Sequence, residues 1–257
     1  MPSQSAPGDP IVLKRDDSTH LFLVPEPGDT VDVDGIGVVS GDLLADLAVG
    51  DRMELGRTAF RVLSPTPQLV FEALERGAQV IRPADAARIA HLAAIGPGTR
   101  VVEGGAGSGA LTAYLAHLVG DDGQVVTVDR RQDHLDVARR NVERAGLADR
   151  VSFREAELAG VEEACDAFVV DVPSPADVAP AVEDGLRPGG RVVFYNPLVD
   201  QVQAVREALD EAPFAEVRTL EALQRDWVVH ERGARPDFDM LGHTGFLTAA
   251  TRVTERS

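Results

Sequence analysis

The sequence predicts an α/β protein in which a mostly parallel seven-stranded sheet, covered by helices, follows a small β-rich domain. From residue 99 onward, short apolar runs alternate with longer helical patterns, which is typical of successive parallel β-α units. Before residue 71, short alternating segments are separated by prolines and glycines, which is typical of short strands and turns. We therefore predict a β-rich domain over residues 1–70 and an α/β domain over residues 71–257.

Three alternating segments predict the strands of the β-rich domain, and two helices follow them. The first helix begins near Pro67 and runs towards Leu74, and the second begins at Pro83. Proline suits the first turn of a helix because the N–H that it lacks would have no partner there. The three predicted strands are 21–24, 30–33 and 59–63.

The α/β domain is predicted to contain seven strands with four further helices between them. Its last strand follows a loop instead of a helix, so we expect that strand to run antiparallel to its neighbour. The predicted strands are Arg100–Glu103, Gln124–Asp129, Val151–Arg154, Ala167–Asp171, Gly190–Tyr195, Ala215–Leu220 and Phe246–Val253. The predicted helices are Ala110–Val119, Arg131–Ala145, Ala176–Gly185 and Val199–Glu211.

The composition indicates a soluble chain with a sizeable core, because 44% of its 257 residues are hydrophobic. No apolar run is long enough to span a membrane, and the first residues lack the order of a signal peptide, so we expect a cytoplasmic protein without membrane contact. The single cysteine, Cys165, excludes an internal disulfide and is expected to be a small buried packing residue. The histidines show no metal-ligand spacing, so no metal is expected.

The charge is strongly acidic and the basic residues are almost all arginine. The net charge is −17, and Lys14 is the one lysine among 25 basic residues. An acidic surface normally argues against a nucleic-acid partner, although this argument weakens at high salt because the Debye length falls to about 3 Å at 1 M. The pattern resembles that of halophilic proteins, and an ordinary acidic protein is the alternative.

A glycine-rich turn between the first sheet strand and its helix is the strongest functional signal. Residues 103–109 read EGGAGSG, and their glycines let the backbone approach a ligand near the unpaired N–H groups of the helix that begins near Ser108. Asp129 ends the next strand, where its carboxylate can accept hydrogen bonds from ribose hydroxyls. The turn resembles the first motif of class I S-adenosylmethionine-dependent methyltransferases, which implies their Rossmann-like fold and S-adenosylmethionine as cofactor. A tight turn without a ligand is the alternative.

A second motif follows the apolar run 168–170. Asp171 is expected at the carboxyl end of that strand, in the crevice where open α/β sheets bind ligands. Pro173 and Pro175 restrain the loop behind it. A structural aspartate before a proline turn is the alternative, and together with the glycine turn we favour a functional one.

Several motifs, in order along the chain, resemble archaeal and bacterial tRNA (adenine-N1)-methyltransferases that modify the T-loop. GHTGFL at 242–247 and GAQVI at 77–81 are the most specific. This resemblance implies transfer of a methyl group from S-adenosylmethionine to N1 of one adenine or two neighbouring adenines, tRNA as partner, and a homotetramer. The segments that resemble the family are 77–83, 85–87, 108–112, 129–134, the loop at 171, 186–190, 201–203 and 242–247.

The resemblance also implies roles for single residues. We assign Asp171 as the catalytic residue, which would accept a hydrogen bond from the adenine N6 amine and stabilise the charge that develops on the base. Substrate contacts are expected from Tyr195, His243 and Arg82, where the Arg82 guanidinium stands in place of a stacking aromatic ring. Glu157 takes the place of an aspartate that contacts the cofactor adenine. The expected cofactor-binding residues are Gln79, Gly105, Gly107, Ser108, Gly109, Ala110, Leu111, Asp129, His134, Glu157 and Asp171.

Three rival functions remain open on the sequence. A small-molecule methyltransferase of the corrin-modifying type shares the GAGSGALT motif but would not require the β-rich domain or the GHTGFLT segment. A non-catalytic RNA-binding subunit of a tRNA methyltransferase would not need to keep the glycine turn together with Asp129 and Asp171. Protein-carboxyl methylation shares the fold and little else.

Overall fold

The computed structural model describes residues 5–75, 80–160 and 163–254. Its β-rich region consists of an antiparallel sheet in the order β2-β1-β6-β5 and a separate β3-β4 hairpin. Both bury apolar side chains in one cluster that includes Leu13, Phe22 and Phe60. The elements are β1 (Pro10–Arg15), β2 (Ser18–Leu23), β3 (Thr30–Val33), β4 (Gly37–Ser40), α1 (Gly41–Ala45), β5 (Arg52–Leu55) and β6 (Thr58–Leu63).

Two helices lead into the α/β region, α2 (Pro67–Ala73) and α3 (Pro83–Leu92). Each has proline in its first turn, as the sequence predicts. Lys14 in β1 pairs with Glu72 in α2 at 2.8 Å. Apolar residues of β1 and β2 share one buried cluster with α2, α3 and the large sheet. The β-rich region is therefore packed directly onto the α/β region.

The large sheet has seven strands in the order β12-β15-β11-β10-β7-β8-β9. The strands from β11 to β9 pair in parallel, and β15 runs antiparallel to both β11 and β12, which confirms the predicted orientation of the last strand. The elements are β7 (Arg100–Gly104), α4 (Ala110–Val119), β8 (Gln124–Asp129), α5 (Gln132–Arg144), β9 (Val151–Glu155), β10 (Cys165–Val170), α6 (Ala179–Gly185), β11 (Leu186–Asn196), α7 (Val199–Glu211), β12 (Phe214–Glu221), β13 (Trp227–His230), β14 (Gly233–Pro236) and β15 (Phe246–Arg252).

The structure differs from the predicted elements in both regions. In the β-rich region, the prediction does not include β1, β4, α1 and β5. The predicted helix from Ala176 is a 3-10 turn over Pro175–Val178, and α6 starts only at Ala179 with a proline in its first turn. The β13-β14 hairpin between β12 and β15 was not predicted, because each strand has four residues and shows no regular alternation. Trp227 in this hairpin is 64% exposed, so it is not a core residue.

Apolar side chains cover both faces of the large sheet. One face packs against α3 and α4, and the other packs against α6 and α7. Cys165 lies in the second cluster, and burial raises the pKa of its thiol to about 12, which suits a packing residue and not a nucleophile. Across the described parts of the chain, the helices are too short or too polar to span a membrane.

Candidate active site

The candidate site is a crevice at the carboxyl edge of the large sheet. There β7 has β10 on one side and β8, the next strand along the chain, on the other side. This is a topological switch point, the usual ligand site of an open α/β sheet. The Asp171 N–H donates to the Gly104 carbonyl oxygen at 2.8 Å, and the Gly105 N–H donates to the Val128 carbonyl oxygen at 2.8 Å. The loops that leave β7 and β10 are therefore tied to each other.

Two positions of the turn require glycine. Gly105 has a φ of +95°, and an added Cβ would lie 2.1 Å from the carbonyl oxygen of Asp171. Gly109 has a φ of +78°, and an added Cβ would lie 2.7 Å from Cα of Ala138 in α5. Each Cβ would meet backbone that cannot move away, so the turn keeps its shape only with glycine.

The middle of the turn faces open space. An added Cβ at Gly107 would meet nothing within 4 Å, although its φ of +53° still favours glycine. Ser108 is buried, and its hydroxyl oxygen has no hydrogen-bond partner within the described chain. Helix α4 begins at Ala110, and its second residue, Leu111, is buried. The N–H groups in the first turn of a helix have no partner within the helix. This cradle can accept a polar ligand group.

Glu103 lies fully buried near the end of β7, and nothing in the sequence assigns it a role. Its Oε2 accepts hydrogen bonds from the Thr112 and Thr127 hydroxyls, each at 2.6 Å. Its Oε1 has no partner among the described residues. Burial raises the pKa of Glu103 to about 7, and the charges of Asp171 and Asp129 add to the rise. Only the acid at the end of the apolar run in β7 could have indicated this residue.

Asp129 at the end of β8 is held by three polar groups. Its Oδ2 accepts from the Ala106 N–H at 3.0 Å and lies 3.2 Å from His134 Nδ1, while its Oδ1 accepts from the Arg131 N–H at 3.0 Å. The carboxylate therefore bridges the glycine turn and the start of α5. Glu157, the other acid expected at this end, is exposed and lies two residues beyond β9.

Asp171 lies directly after β10 and is largely shielded from solvent. Burial raises its pKa to about 6, and the Asp129 charge contributes. Within the described residues, none donates a hydrogen bond to its carboxylate, so both oxygens are available to a ligand. The loop behind it is fastened to α7, since the Gln201 side-chain amide donates to the Pro173 carbonyl oxygen at 3.0 Å.

Tyr195 and the segment before β15 form the neighbouring wall. The Tyr195 hydroxyl donates to the Thr244 carbonyl oxygen at 2.6 Å, and burial raises its pKa to about 12, with the Asp85 and Asp171 charges adding. An added Cβ on Gly245 would lie 2.5 Å from Cζ of Tyr195, so the ring packs directly on this glycine. The ring thus lies within electrostatic range of Asp171.

His243 uses both ring nitrogens within the protein. Nδ1 lies 2.6 Å from Glu221 Oε1, and Nε2 lies 2.8 Å from the Pro197 carbonyl oxygen. The hydrogen bond to Glu221 raises the pKa of His243, because both partners are acceptors and favour the doubly protonated ring. His243 therefore ties the segment before β15 to the ends of β11 and β12.

Two further residues predicted for the site are Arg82 and Gln79. Arg82 is exposed and lies immediately before α3. Gln79 lies outside the described residues. Over the described parts of the chain, no group of His, Cys, Asp and Glu residues is arranged to hold a metal ion.

Comparison with known proteins extends over almost the whole chain. The family model described as "tRNA methyltransferase complex GCD14 subunit" matches residues 59–235. The chain is 34% identical over 248 residues to a tRNA (adenine(58)-N(1))-methyltransferase, TrmI, of Thermus thermophilus, which covers 95% of this chain and 96% of the relative. It is 32% identical over 219 residues to a tRNA (adenine(57)-N(1)/adenine(58)-N(1))-methyltransferase of Methanocaldococcus jannaschii, with 74% and 78% covered.

Two solved structures share the fold at full length. A Thermotoga maritima protein described as a SAM-dependent O-methyltransferase has a TM-score of 0.82 and 27% identity, with 99% of this chain and 96% of that chain covered. A tRNA (m1A58) methyltransferase of Aquifex aeolicus has a TM-score of 0.75 and 25% identity, with 98% and 100% covered. Both matches include the β-rich region as well as the large sheet.

Proposed function

The chain belongs to the family of the tRNA methyltransferase complex GCD14 subunit, and from that premise we propose that it transfers a methyl group from S-adenosylmethionine to N1 of an adenine in the T-loop of tRNA. The observation that carries this proposal is the 34% identity to an adenine-58 tRNA methyltransferase over 96% of that relative. A match of this length includes the β-rich region and the segment before β15, where the acceptor must be recognised.

The cofactor fits the glycine turn on three observations of this site. The Gly107 cradle is open, the Ser108 hydroxyl is unpartnered, and the Glu103 Oε1 atom is an unpartnered buried acceptor. We assign the turn from Gly105 to Leu111 to the methionine part of S-adenosylmethionine. When bound there, the cofactor supplies an electrophilic methyl group on a positively charged sulfur.

We assign Asp129 to the ribose of the cofactor, because its carboxylate is already oriented by the Ala106 and Arg131 N–H groups. His134 supports that orientation from α5. Glu157 is exposed near the end of β9, and we assign it to the cofactor adenine. We assign Gln79 to the cofactor site from the resemblance alone.

Asp171 acts on the acceptor base. The cofactor would supply the methyl group and its sulfur would keep the electrons of the bond, so the adenine that accepts the methyl group through its N1 lone pair would become a cation. The ionised Asp171 accepts a hydrogen bond from the N6 amine, which orients N1 and stabilises that charge where it develops. The carboxylate suits this role because no described residue competes for its oxygens.

We assign Tyr195, Arg82 and His243 to the substrate side of the pocket. The Tyr195 ring lies within range of the Asp171 charge and packs on Gly245. The exposed Arg82 guanidinium is free to stack on an extruded base. His243 has both ring nitrogens engaged within the protein, so it contributes to the shape of the wall that the substrate meets.

The rival functions explain fewer features. A corrin-type enzyme would need only the α/β region that binds the cofactor, so this function does not explain the packed β-rich region. A non-catalytic subunit that binds no cofactor has no need to keep the open position at Gly107 together with Asp129 and Asp171. Protein-carboxyl methylation explains neither the family match nor the segment before β15.

We further propose the division into domains at residues 70 and 71, a cytoplasmic location, adaptation to high salt, and assembly as a homotetramer. The packed core of the β-rich region supports the division, and the net charge of −17 supports the adaptation. Exposed apolar residues on the β13-β14 hairpin and its flanks support assembly; they are Leu223, Trp227, Val229, Phe238, Met240 and Leu241.

Mapping the modified positions tests the function directly. Purified protein is incubated with labelled S-adenosylmethionine and unmodified tRNA, and the methylated nucleosides are located by mass spectrometry of nuclease fragments. We expect N1-methyladenine in the T-loop, at one position as in the Thermus relative or at two as in the Methanocaldococcus relative. A tRNA in which the target adenines are replaced by guanine is the control. Methylation outside adenine N1 would refute the proposal.

A further inference from the structure

A buried carboxylate in the first turn of α3, Asp85, has no role in the chemistry described so far. Only 2% of its surface is exposed. Its Oδ2 atom has no hydrogen-bond partner among the described residues. An unpaired buried carboxylate oxygen lowers stability, so its presence in a folded protein needs an explanation.

The group that faces Asp85 comes from the segment before β15. Burial raises the pKa of Asp85, and the Thr244 hydroxyl opposes this rise most strongly, followed by the charges of Arg82 and His243. The Thr244 hydroxyl oxygen is also buried and without a hydrogen-bond partner in the described chain. A buried acceptor on α3 and a buried donor on the segment before β15, each without a partner in the described chain, therefore lie within interaction range of each other.

Thr244 also contacts Tyr195 through its main chain. Its carbonyl oxygen accepts the hydrogen bond of the Tyr195 hydroxyl at 2.6 Å. The charges of both Asp85 and Asp171 raise the pKa of Tyr195, so its ring lies within range of both carboxylates. Residues 241–245 form no helix or strand, so side-chain contacts, not a backbone ladder, must hold this segment in place.

We propose that Asp85 is a positioning residue for the methyl transfer: its carboxylate binds the Thr244 hydroxyl and so fixes the Thr244 carbonyl and the Tyr195 ring beside Asp171. The inference rests on the proposed function, because the positioned wall is the one that receives the acceptor base. A misplaced wall lowers the rate of transfer by misaligning N1 with the methyl group. We expect cofactor binding at Asp129 to be undisturbed, because the groups that act on Asp85 in the described chain are Thr244, Arg82 and His243 and not residues of the glycine turn.

Kinetics of matched variants test the proposal. With saturating cofactor and tRNA, Asp85→Asn and Thr244→Val should each lower kcat by about tenfold, the effect of one lost hydrogen bond to a charged group. Thr244→Ser keeps the hydroxyl and should recover most of the rate. The double variant should be no slower than the slower single variant, since both changes break one contact. Cofactor affinity measured by calorimetry should stay within about twofold of wild type.

Asp42→Asn is the matched control, because it removes the same charge from the first turn of a helix in the β-rich region. Melting temperatures of all variants separate a local effect from unfolding. Losses that add in the double variant, or equal losses for Thr244→Val and Thr244→Ser, would overturn the proposal.

A spectroscopic measurement keeps this test separate from the proposed function. The chain has two tyrosines, so isotope-labelled tyrosine gives two NMR signals, which Tyr114→Phe assigns. Asp85→Asn and Thr244→Val should move the Tyr195 signal in the same direction and leave the Tyr114 signal in place. An unmoved Tyr195 signal would overturn the role of Asp85. A wild type that methylates no tRNA adenine would refute the proposed function without affecting this readout.

Discussion

Asp171 lies in surroundings that oppose its ionisation, yet the proposed chemistry needs the ionised carboxylate. Burial, followed by the Asp129 charge, raises its pKa to about 6. We therefore expect kcat to rise with pH through about pH 6 and to level off above it. Asp171→Asn should raise the barrier by about 2.7–4 kcal/mol and abolish this pH dependence. Turnover close to wild type in the variant would remove Asp171 from the mechanism.

Asp129 is expected to act in binding and not in chemistry. Its carboxylate is oriented by two backbone N–H groups and by His134. Asp129→Ala should weaken S-adenosylmethionine binding by about 1–3 kcal/mol through lost charge-assisted hydrogen bonds, as measured by calorimetry. Asp133→Ala removes an exposed carboxylate from the first turn of α5 and serves as the control. Equal affinities in the two variants would contradict the assignment.

Glu103 links the site to the stability of the fold. Its pKa is about 7 in the folded protein, above the value of 4.5 of the unfolded chain. The folded state therefore binds its proton more tightly, and the stability from this group is complete below the unfolded pKa and is lost as pH rises through the folded pKa. Glu103→Gln stays neutral, so its stability relative to wild type should increase with pH, by up to about 3 kcal/mol.

Urea unfolding of the cofactor-free protein measures this change. The free energies of unfolding of wild type and Glu103→Gln are compared at about pH 5 and about pH 8. Glu54→Gln, at an exposed position in β5, is the control for loss of a carboxylate. A difference between Glu103→Gln and wild type that is the same at both pH values would mean that Glu103 does not ionise in this range.

At the scale of elements, the β13-β14 hairpin and the residues that follow it include the two most exposed large apolar side chains of the described chain, Val229 and Phe238. Trp227 is 64% exposed, Val229 is 76% exposed and Phe238, which follows the hairpin, is 78% exposed. Large exposed apolar patches in a soluble protein usually mark an interface. The hairpin lies in the chain between β12 and the His243 segment, so an interface here would stiffen the pocket wall.

We expect Trp227→Glu combined with Val229→Lys to lower the molar mass of the assembly in analytical ultracentrifugation, because charges would replace apolar contacts in the interface. Val38→Lys introduces a charge at a comparably exposed apolar residue, 66% exposed, in the β-rich region and should leave the assembly unchanged. An unchanged molar mass in the hairpin variant would show that this surface does not carry the assembly.

The predicted elements succeed where apolar periodicity is long and fail where it is short. The strands and helices of the glycine-turn region were predicted almost to the residue, because buried parallel strands are continuous apolar runs. The start of α6 was misplaced, because helical and 3-10 turns after Pro175 have the same local pattern. The β13-β14 hairpin has no buried face, so its residues do not alternate between apolar and polar and the sequence does not predict it.

At the scale of the whole molecule, the arginine bias has a structural use. Arginines donate to main-chain carbonyl oxygens that belong to other elements. Arg144 in α5 donates to Leu21 in β2 at 3.0 Å, and Arg191 in β11 donates to Leu92 in α3 at 2.6 Å. The planar guanidinium serves several acceptors at once, which the lysine ammonium does less well. These bonds tie the β-rich region and the helices to the large sheet.

The net charge of −17 should make both stability and activity depend on salt. Self-repulsion destabilises the folded state in dilute buffer, and the same field repels tRNA. We expect the melting temperature and the rate of tRNA methylation to rise between about 0.1 M and 1 M salt, as the Debye length falls from about 10 Å to 3 Å. Ordinary tRNA enzymes lose affinity over this range because counterion release weakens binding. Full stability and activity at about 0.1 M with a steady decline above it would refute adaptation to salt.

By itself, the sequence determined the strands and most of the helices of the large sheet, the glycine turn and the acids at strand ends, but not the β13-β14 hairpin. Those features depend on residues that are close together in the chain, so the spacing of apolar residues and the positions of glycine and proline predict them. Only the tertiary structure decided that the Tyr195 hydroxyl meets the Thr244 carbonyl oxygen, that His243 is engaged by Glu221 and Pro197, and that Asp85 and Glu103 each keep an oxygen without a partner among the described residues. These contacts join segments that are far apart in the chain, and burial and distance between such segments exist only once the sheet has formed.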